Sequence, residues 1–510
     1  MNSLYMRNML STKLPKDQKM KNSLAIKSTL KISREIKFIL LSFLILFGTS
    51  CTSDEFEVIP ENAPQAPEQE AAPDANAAQF ALAGCTDERA LNSAGASFDD
   101  NSCQYTPMSS ADVDYVVNPG EYKLDNNVLK LPAGSVIGIK GQDRGGVYII
   151  NFHGTPENPF TFINVDGQTT ITKGDVGIKV HESSNLRITG TGSTDDYGFK
   201  ITTSLHGVQA EHGTTDYEVD HIEIGGSGAT GFSARSNPEE HTNRSNFVQK
   251  NTSIHHNYIH NTGNEGLYLG GSHWHTSWDG YHEPELKGVR VYNNRIENTG
   301  RDGIQVGSAV EDSEIYNNVV KNYGLNNITI HQSGLQINPG TTGKIYNNYI
   351  EGGNGHAIFL SGFGNDVYNN VIVDCKRSGF YLADREPYPN QSYRIFNNTL
   401  VNVREAAVKM QSTLSVSNVF YNNALINVGT EIIKGVDMDI DVANNFTTST
   451  VAEALFIDAA NLDFTPTADS PLIDGGKDVS TIDIKVQADY LFHSRTTGGG
   501  IDIGAIELQK

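Results

Sequence analysis

Basic side chains are scarce in this chain: 38 Lys and Arg stand against 60 Asp and Glu, a formal charge of −22. Nine of those bases and only two of those acids fall in the first 50 residues, so the remainder keeps 29 bases and 58 acids, about −29. A surface this acidic has no general affinity for nucleic acid or for anionic lipid, so any anionic polymer must be met by a local basic patch or a bridging cation. Long apolar runs are missing too. The longest, FILLSFLILFG at 38–48, is too short to span a bilayer comfortably. Cysteines number four and tryptophans two, and 38% of the chain is hydrophobic. What is plentiful is glycine, 49 residues, together with asparagine. Both tolerate φ > 0 at low cost, which suits many short strands joined by tight turns.

The basic segment 1–37, the apolar run and the small residues Gly48, Thr49 and Ser50 read as an export signal ending before Cys51. The site resembles a bacterial lipoprotein signal over 1–50 with Cys51 lipidated, which implies a membrane contact through the lipid anchor only. Residues 51–83, rich in Pro, Ala and acids and without apolar periodicity, form a flexible tether. The acids Asp54 and Glu55 just behind Cys51 resemble the signal that sends Bacteroidota lipoproteins to the outer face of the outer membrane. Residues 84–106 hold Cys85 and Cys103, 18 apart, where a disulfide can staple a small exported segment. This stretch resembles a Gly-Cys-Thr-Asp module of marine Bacteroidota. Its Asp87, Asp99 and Asp100 offer the oxygen ligands that Ca²⁺ prefers. Cys375 is left over as a small buried thiol.

From about residue 150 the chain repeats. Paired asparagines close apolar strands in RVYNNRI (290–296), EIYNNVV (314–320), KIYNNYI (344–350) and DVYNNVI (366–372), with looser copies in RIFNNTL, VFYNNAL and VANNFTT. The second asparagines, Asn294, Asn318, Asn348, Asn370, Asn398, Asn423 and Asn445, follow Asn257 at a basal period of 22 to 25 residues. A second column, a small residue before an apolar-x-apolar strand, keeps the same rhythm in GVQA, GFSA, GLYL, GIQV, GLQI, AIFL, GFYL and AVKM. Two columns in step describe coils stacked along an axis, whereas propeller blades need a period of about 40 residues. In such a stack each asparagine amide can bond to the one above and below, which is how a buried amide is tolerated.

At this point the sequence resembles the right-handed parallel β-helix family of secreted proteins, whose members include pectate lyases, polygalacturonases and alginate or chondroitin lyases. The resemblance implies an all-β solenoid over 107–450 with an Asn ladder, and activity on a polysaccharide. The stretches SPLIDGG and GGGIDIGAIEL lie in 451–510, a terminal segment expected to cap the open end, whose strand edge would otherwise invite aggregation. The Asn-Thr-Asp, Gly-His-Gly and Arg-Ile-Lys set of polygalacturonases is missing. Asp220-His221 is similar to a pectate-lyase pair but lacks the preceding Trp and the arginine motif.

The glycine-headed strands place one outward residue per coil: Gln209, Ser233, Tyr268, Gln305, Gln336, Phe359, Tyr381 and Lys409. Strands about 4.8 Å apart make these a stripe with the spacing of sugar subsites, and aromatic faces with amides suit a carbohydrate. Insertions at 235–253 and 270–288 would overhang the stripe. The second holds Trp274 and Trp278 with His273, His275 and His282, and long loops of this kind tend to carry function. Glu265 and Asp302, each just before its strand's glycine, are a candidate carboxylate pair one coil apart, near the 5–5.5 Å of retaining glycosidases. Elimination would instead take a base, His273, His275 or Tyr268, and a neutraliser of the uronate carboxyl, Arg235, Arg301 or Ca²⁺. The His-x-His spacing with His282 would also suit Zn²⁺. The resulting expectation is a monomeric surface lipoprotein that binds and depolymerises an acidic or sulfated polysaccharide. Glycan binding without cleavage, or a structural adhesin, is the alternative.

Overall fold

The computed structural model describes residues 83–93, 98–99, 102–386, 389–482, 486, 488–495 and 499–509. The signal segment 1–50, Cys51 and the tether as far as residue 82 lie outside these residues. The paired asparagines explain the first corner of each coil. The first of each pair, Asn293, Asn317, Asn347, Asn369, Asn397, Asn422 and Asn444, has φ between 52° and 55°, the left-handed region that Asn enters far more readily than branched residues. His221 and His256 occupy the same corner in earlier coils with φ of 54° and 52°. The second asparagine of each pair then turns inward. Asn257, Asn294, Asn318, Asn348, Asn370, Asn398 and Asn423 are buried, and each amide nitrogen lies 3.0–3.1 Å from the amide oxygen of the next. That same oxygen also accepts the backbone N–H of the preceding rung, as Asn318 Oδ1 does for Asn294 at 3.1 Å. The polar file is thus satisfied within the core.

The ladder joins two columns of parallel strands. One is a 13-stranded sheet running from Tyr115–Val117 through strands such as Arg290–Tyr292 and Ser313–Tyr316 to Ile440–Ala443. The other follows the asparagines, through Arg295–Thr299, Val319–Lys321, Tyr349–Glu351 and their partners. A third column holds the glycine-headed strands, including Leu267–Leu269, Ile304–Val306, Leu335–Ile337, Ile358–Leu360, Phe380–Leu382 and Val408–Met410. The chain is therefore all-β, a right-handed parallel β-helix whose interior is one continuous file of Ile, Val, Leu and Phe. The small residue at the second corner is sterically required. At Gly303 a Cβ would sit 2.4 Å from Val320 Cγ1 and 2.7 Å from Gly334 O. Outside, Tyr292, Tyr316, Tyr346, Tyr368 and Phe396 stack in sequence with ring centroids 5.0, 4.9, 5.0 and 5.2 Å apart.

Two further features dress the solenoid. The insertions pair with one another through Val248–Lys250 and Glu285–Lys287, and Ala309–Glu311 of the next coil adds a third parallel strand. The segment after residue 450 runs along a flank, where Phe464, Leu472, Ile503 and Ile506 cover Val371, Val373, Val401 and Ile426. Its carbonyls accept from the first asparagines: Ala488 O from Asn369 at 2.8 Å, Asp502 O from Asn397 at 3.0 Å and Lys477 O from Asn422 at 2.8 Å. At the other end Cys85 and Cys103 are disulfide-bonded, and Arg89 grips Glu218 through bonds of 2.7 and 3.1 Å.

Candidate functional site

The third column carries the stripe. Tyr268, Gln305, Gln336, Phe359, Tyr381 and Lys409 are direct neighbours across successive strands. The expectation that each faces solvent is corrected at three positions: Ser233, Gln305 and Gln336 are 8%, 1% and 2% exposed. Strand alternation fixes which side a residue leaves the sheet, and overlying loops then decide whether water reaches it. Ile330, from the loop ahead of Leu335–Ile337, offers its carbonyl 3.1 Å from the Gln336 amide nitrogen in the orientation that satisfies both ends of that amide.

From Gln336 onward the stripe opens into a groove of about 570 Å³. Phe359 and Tyr381 form one wall with ring centroids 5.2 Å apart, and His356 stacks on Tyr381 at 4.4 Å. Burial pulls His356 down to about 3, so this ring is neutral across the physiological range. Arg377, Arg385 and Lys409 also line the groove. Two acids temper that charge: Glu405 pairs with Lys409, and Asp384 is held by the Thr413 N–H at 2.6 Å and by the Ser412 and Thr413 hydroxyls. Basic groups gathered in one cleft of so acidic a chain are the local patch an anionic polymer requires.

The groove abuts the carboxylate pair. Glu265 and Asp302 precede glycines in neighbouring coils and are bonded in register, Gly266 N–H to Asp302 O at 3.0 Å. Both are buried, and a third group joins them, His331, which the sequence reading missed. Its Nδ1 lies 3.3 Å from Asp302 Oδ2 and 3.9 Å from Glu265 Oε1. The three ligand-bearing atoms lie within 4.8 Å of one another. Asp302 Oδ1 accepts the Ser333 N–H at 2.6 Å, Glu265 accepts Thr230 Oγ1 at 3.0 Å, and Arg301 reaches Glu265 at 3.4 Å. The satisfied orientation of the Gln336 amide sets its nitrogen 3.2 Å from each Asp302 oxygen, which links groove and cluster through one side chain. Burial pushes the Asp302 carboxyl up to about 6, against the pull of the His331 and Ser333 bonds. Arg301 Nε, Gln305 Oε1 and Asn338 Nδ2 are buried on these same coils without a partner in the protein. His331 sits in a turn between strands with no periodic pattern, so only its burial beside two acids reveals it.

The other expected residues fall into separate groups. Tyr268 donates to Ser272 at 3.2 Å with the Arg235 guanidinium 4.9 Å over its ring. Trp274 is a packing anchor: Arg244 lies 3.5 Å over it and Phe363 meets it edge-on at 5.1 Å. His273 lies 3.7 Å from Glu386 and edge-on to the exposed Trp278, and the His275 N–H donates to Glu386 at 2.6 Å. The 270–288 loop is thereby fastened to the 383–386 segment. Asp87 pairs with Arg89 at 2.7 Å and accepts the Tyr105 hydroxyl at 3.0 Å, both contacts within its own module. Of the Asp99 side chain nothing is described, and Asp100 lies outside the described residues.

Residues 249–447 match the family model described as the right handed beta helix region. Among solved structures the chain is similar to pectate lyase Pel9A, at 13% identity over 79% of this chain and 98% of that one, with a TM-score of 0.41. It is also similar to the GH136 lacto-N-biosidase from Eubacterium ramulus, at 12% identity over 63% of each chain and a TM-score of 0.42. The alginate lyase from Paenibacillus sp. str. FPU-7 follows at 14% identity over 65% of this chain and 99% of that one, with a TM-score of 0.29. Likeness at this level assigns no activity. A search of curated protein sequences found no match.

Proposed function

We propose that this chain binds an acidic polysaccharide along the stripe and cleaves it by elimination. The observation that carries the reading is the groove itself, where the wall of Phe359 and Tyr381 and the cations Arg377, Arg385 and Lys409 run through Gln336 into the Asp302–His331 pair. The aromatic wall offers a face for a sugar ring, and the guanidinium groups suit a uronate or sulfate bidentately. Hydrolysis at the carboxylate pair fits less well, because both acids are buried and hydrogen-bonded and neither is presented to an anomeric carbon. His331, with 19% of its side chain exposed, is the reachable base. Asp302 holds Nδ1, which leaves Nε2 to take the proton beside the uronate carboxyl. As that C–H bond breaks, its electron pair forms the double bond and expels the glycosidic oxygen, which takes a proton from water, while His331 returns its own to solvent. The cations offset the charge that develops on the uronate carboxyl.

Native gels cast with alginate, pectin, chondroitin sulfate, ulvan or fucoidan test the binding half. Retardation by acidic polymers, absent with dextran and weakened in an Arg377→Ala/Arg385→Ala variant, is the expected result. Equal mobility in every gel would remove the groove from the account. Export and lipidation at Cys51, with display at the cell surface, belong to the same proposal, and incorporation of labelled palmitate into the wild type but not into Cys51→Ala checks them.

A further inference from the structure

A second cluster of ligand-type side chains lies nearer the start of the solenoid, outside the groove. His181, Glu211 and His212 bring one nitrogen or oxygen each to within 4.8 Å of one another. His181 Nε2 is 2.8 Å from Glu211 Oε1, and His212 Nε2 is 3.9 Å from the same oxygen. Each of the three is held from behind. Tyr148 OH meets His181 Nδ1 at 2.7 Å, Gln209 donates to the other oxygen of Glu211 at 2.8 Å, and Glu239 lies 3.7 Å from His212 Nδ1. His212 has φ of 47°, and its ring lies against that of His181 with centroids 4.4 Å apart. A backing partner on every ligand is the outer shell that orients imidazoles and carboxylates toward a metal.

Among the described residues there are two other such trios, and both already hold a guanidinium. Glu218, Asp220 and His255 surround Arg187, which is 3.0 Å from Glu218 and 2.8 Å from Asp220, and Arg89 adds a second guanidinium. In the other, Arg301 is 3.4 Å from Glu265, and the Gln336 amide nitrogen lies 3.2 Å from each oxygen of Asp302. At the first trio the Lys or Arg paired among the described residues is Lys179, 2.8 Å from Glu211 on a flexible stem whose side chain is 32% exposed. We infer that His181, Glu211 and His212 form a binding site for one divalent transition-metal ion of the Zn²⁺ class. Two imidazoles and one carboxylate select such an ion over Ca²⁺, which prefers an all-oxygen shell. Three protein ligands leave a coordination position for water or an anionic group. Lys179 and Gln209 stand in the same file as Tyr268 and Gln336, with Gln209 four strand steps, roughly 19 Å, from Gln336. A metal here would hold a carboxylate at the far end of a chain lying along the stripe. That last role rests on the preceding proposal; the metal site does not.

The test is a Zn²⁺ competition titration of the full chain against a chromogenic chelator, repeated with Co²⁺ and its visible absorption. One equivalent should bind and resist excess Ca²⁺. His181→Ala and His212→Ala should each lose it, Tyr148→Phe should weaken it by about tenfold through the lost backing bond, and Lys179→Met should tighten it by removing the competing ammonium. Asp302→Asn should leave it unchanged. No stoichiometric binding, or binding that survives both histidine substitutions, overturns the site. Metal binding without cleavage of any glycan would leave it standing and count against the function proposed for the groove alone.

Discussion

Asp302 shows at the scale of one residue what the sequence could and could not say. Its place beside Glu265 was legible, because each acid precedes the glycine of a periodic strand and the period sets them in adjacent coils. Its burial was not, because the covering residues come from a turn of no periodicity, the same turn that supplies His331. Burial has a consequence for pH. A carboxyl whose folded pKa is raised to about 6 binds its proton more tightly than it does unfolded, so its contribution is fully present below about 3.8 and is lost as pH rises through about 6. The difference is on the order of 3 kcal/mol. Denaturant titrations of the wild type and Asp302→Asn at pH 4 and pH 7 should therefore show the wild type losing stability relative to the variant at the higher pH; a pH-independent difference would contradict the assignment. Cys375 is the inert counterpart, a thiol that burial pushes up to about 11. It should resist alkylation at neutral pH until the chain is unfolded.

At the scale of the element, the YNN repeat encodes more than its second asparagine. Tyr stacks outside, the first Asn turns the corner and the second joins the inner ladder, so three consecutive residues serve three environments. Asn318→Ala removes a rung that accepts the Asn294 N–H and donates to Asn348, and it should cost on the order of 3 kcal/mol in a chemical melt. A second, exposed ladder escaped the sequence reading because its members sit in dissimilar contexts: Asn322 donates to Asn298 at 3.1 Å and Asn427 to Asn402 at 2.8 Å. At the outer rung Asn427→Gly, which keeps the left-handed turn, should cost less than about 1 kcal/mol. The loops were the least legible elements. Trp274, expected on the glycan surface from its aromatic loop, instead clamps that loop between Arg244 and Phe363. Trp274→Ala should increase proteolysis within 270–288 while leaving the thermal midpoint of the solenoid little changed.

For the whole molecule, the columns and their rhythm were readable because a solenoid repeats its instructions every coil, whereas a site is written once. The flank-covering segment illustrates the limit, since nothing in its sequence announces that its carbonyls will meet Asn369, Asn397 and Asn422. Charge ties the scales together. A chain of net charge −22 keeps Arg377, Arg385 and Lys409 around one aromatic-walled groove, so its encounter with an anionic polymer should weaken steeply with added salt. The most direct test of the account is the growth of ultraviolet absorbance from unsaturated uronate when wild type and His331→Ala meet the same panel of uronate polymers. The account predicts growth on at least one polymer and a loss of about 100-fold or more in the variant, as for removal of a general base. No growth on any of them, or a variant as fast as the wild type, would contradict it.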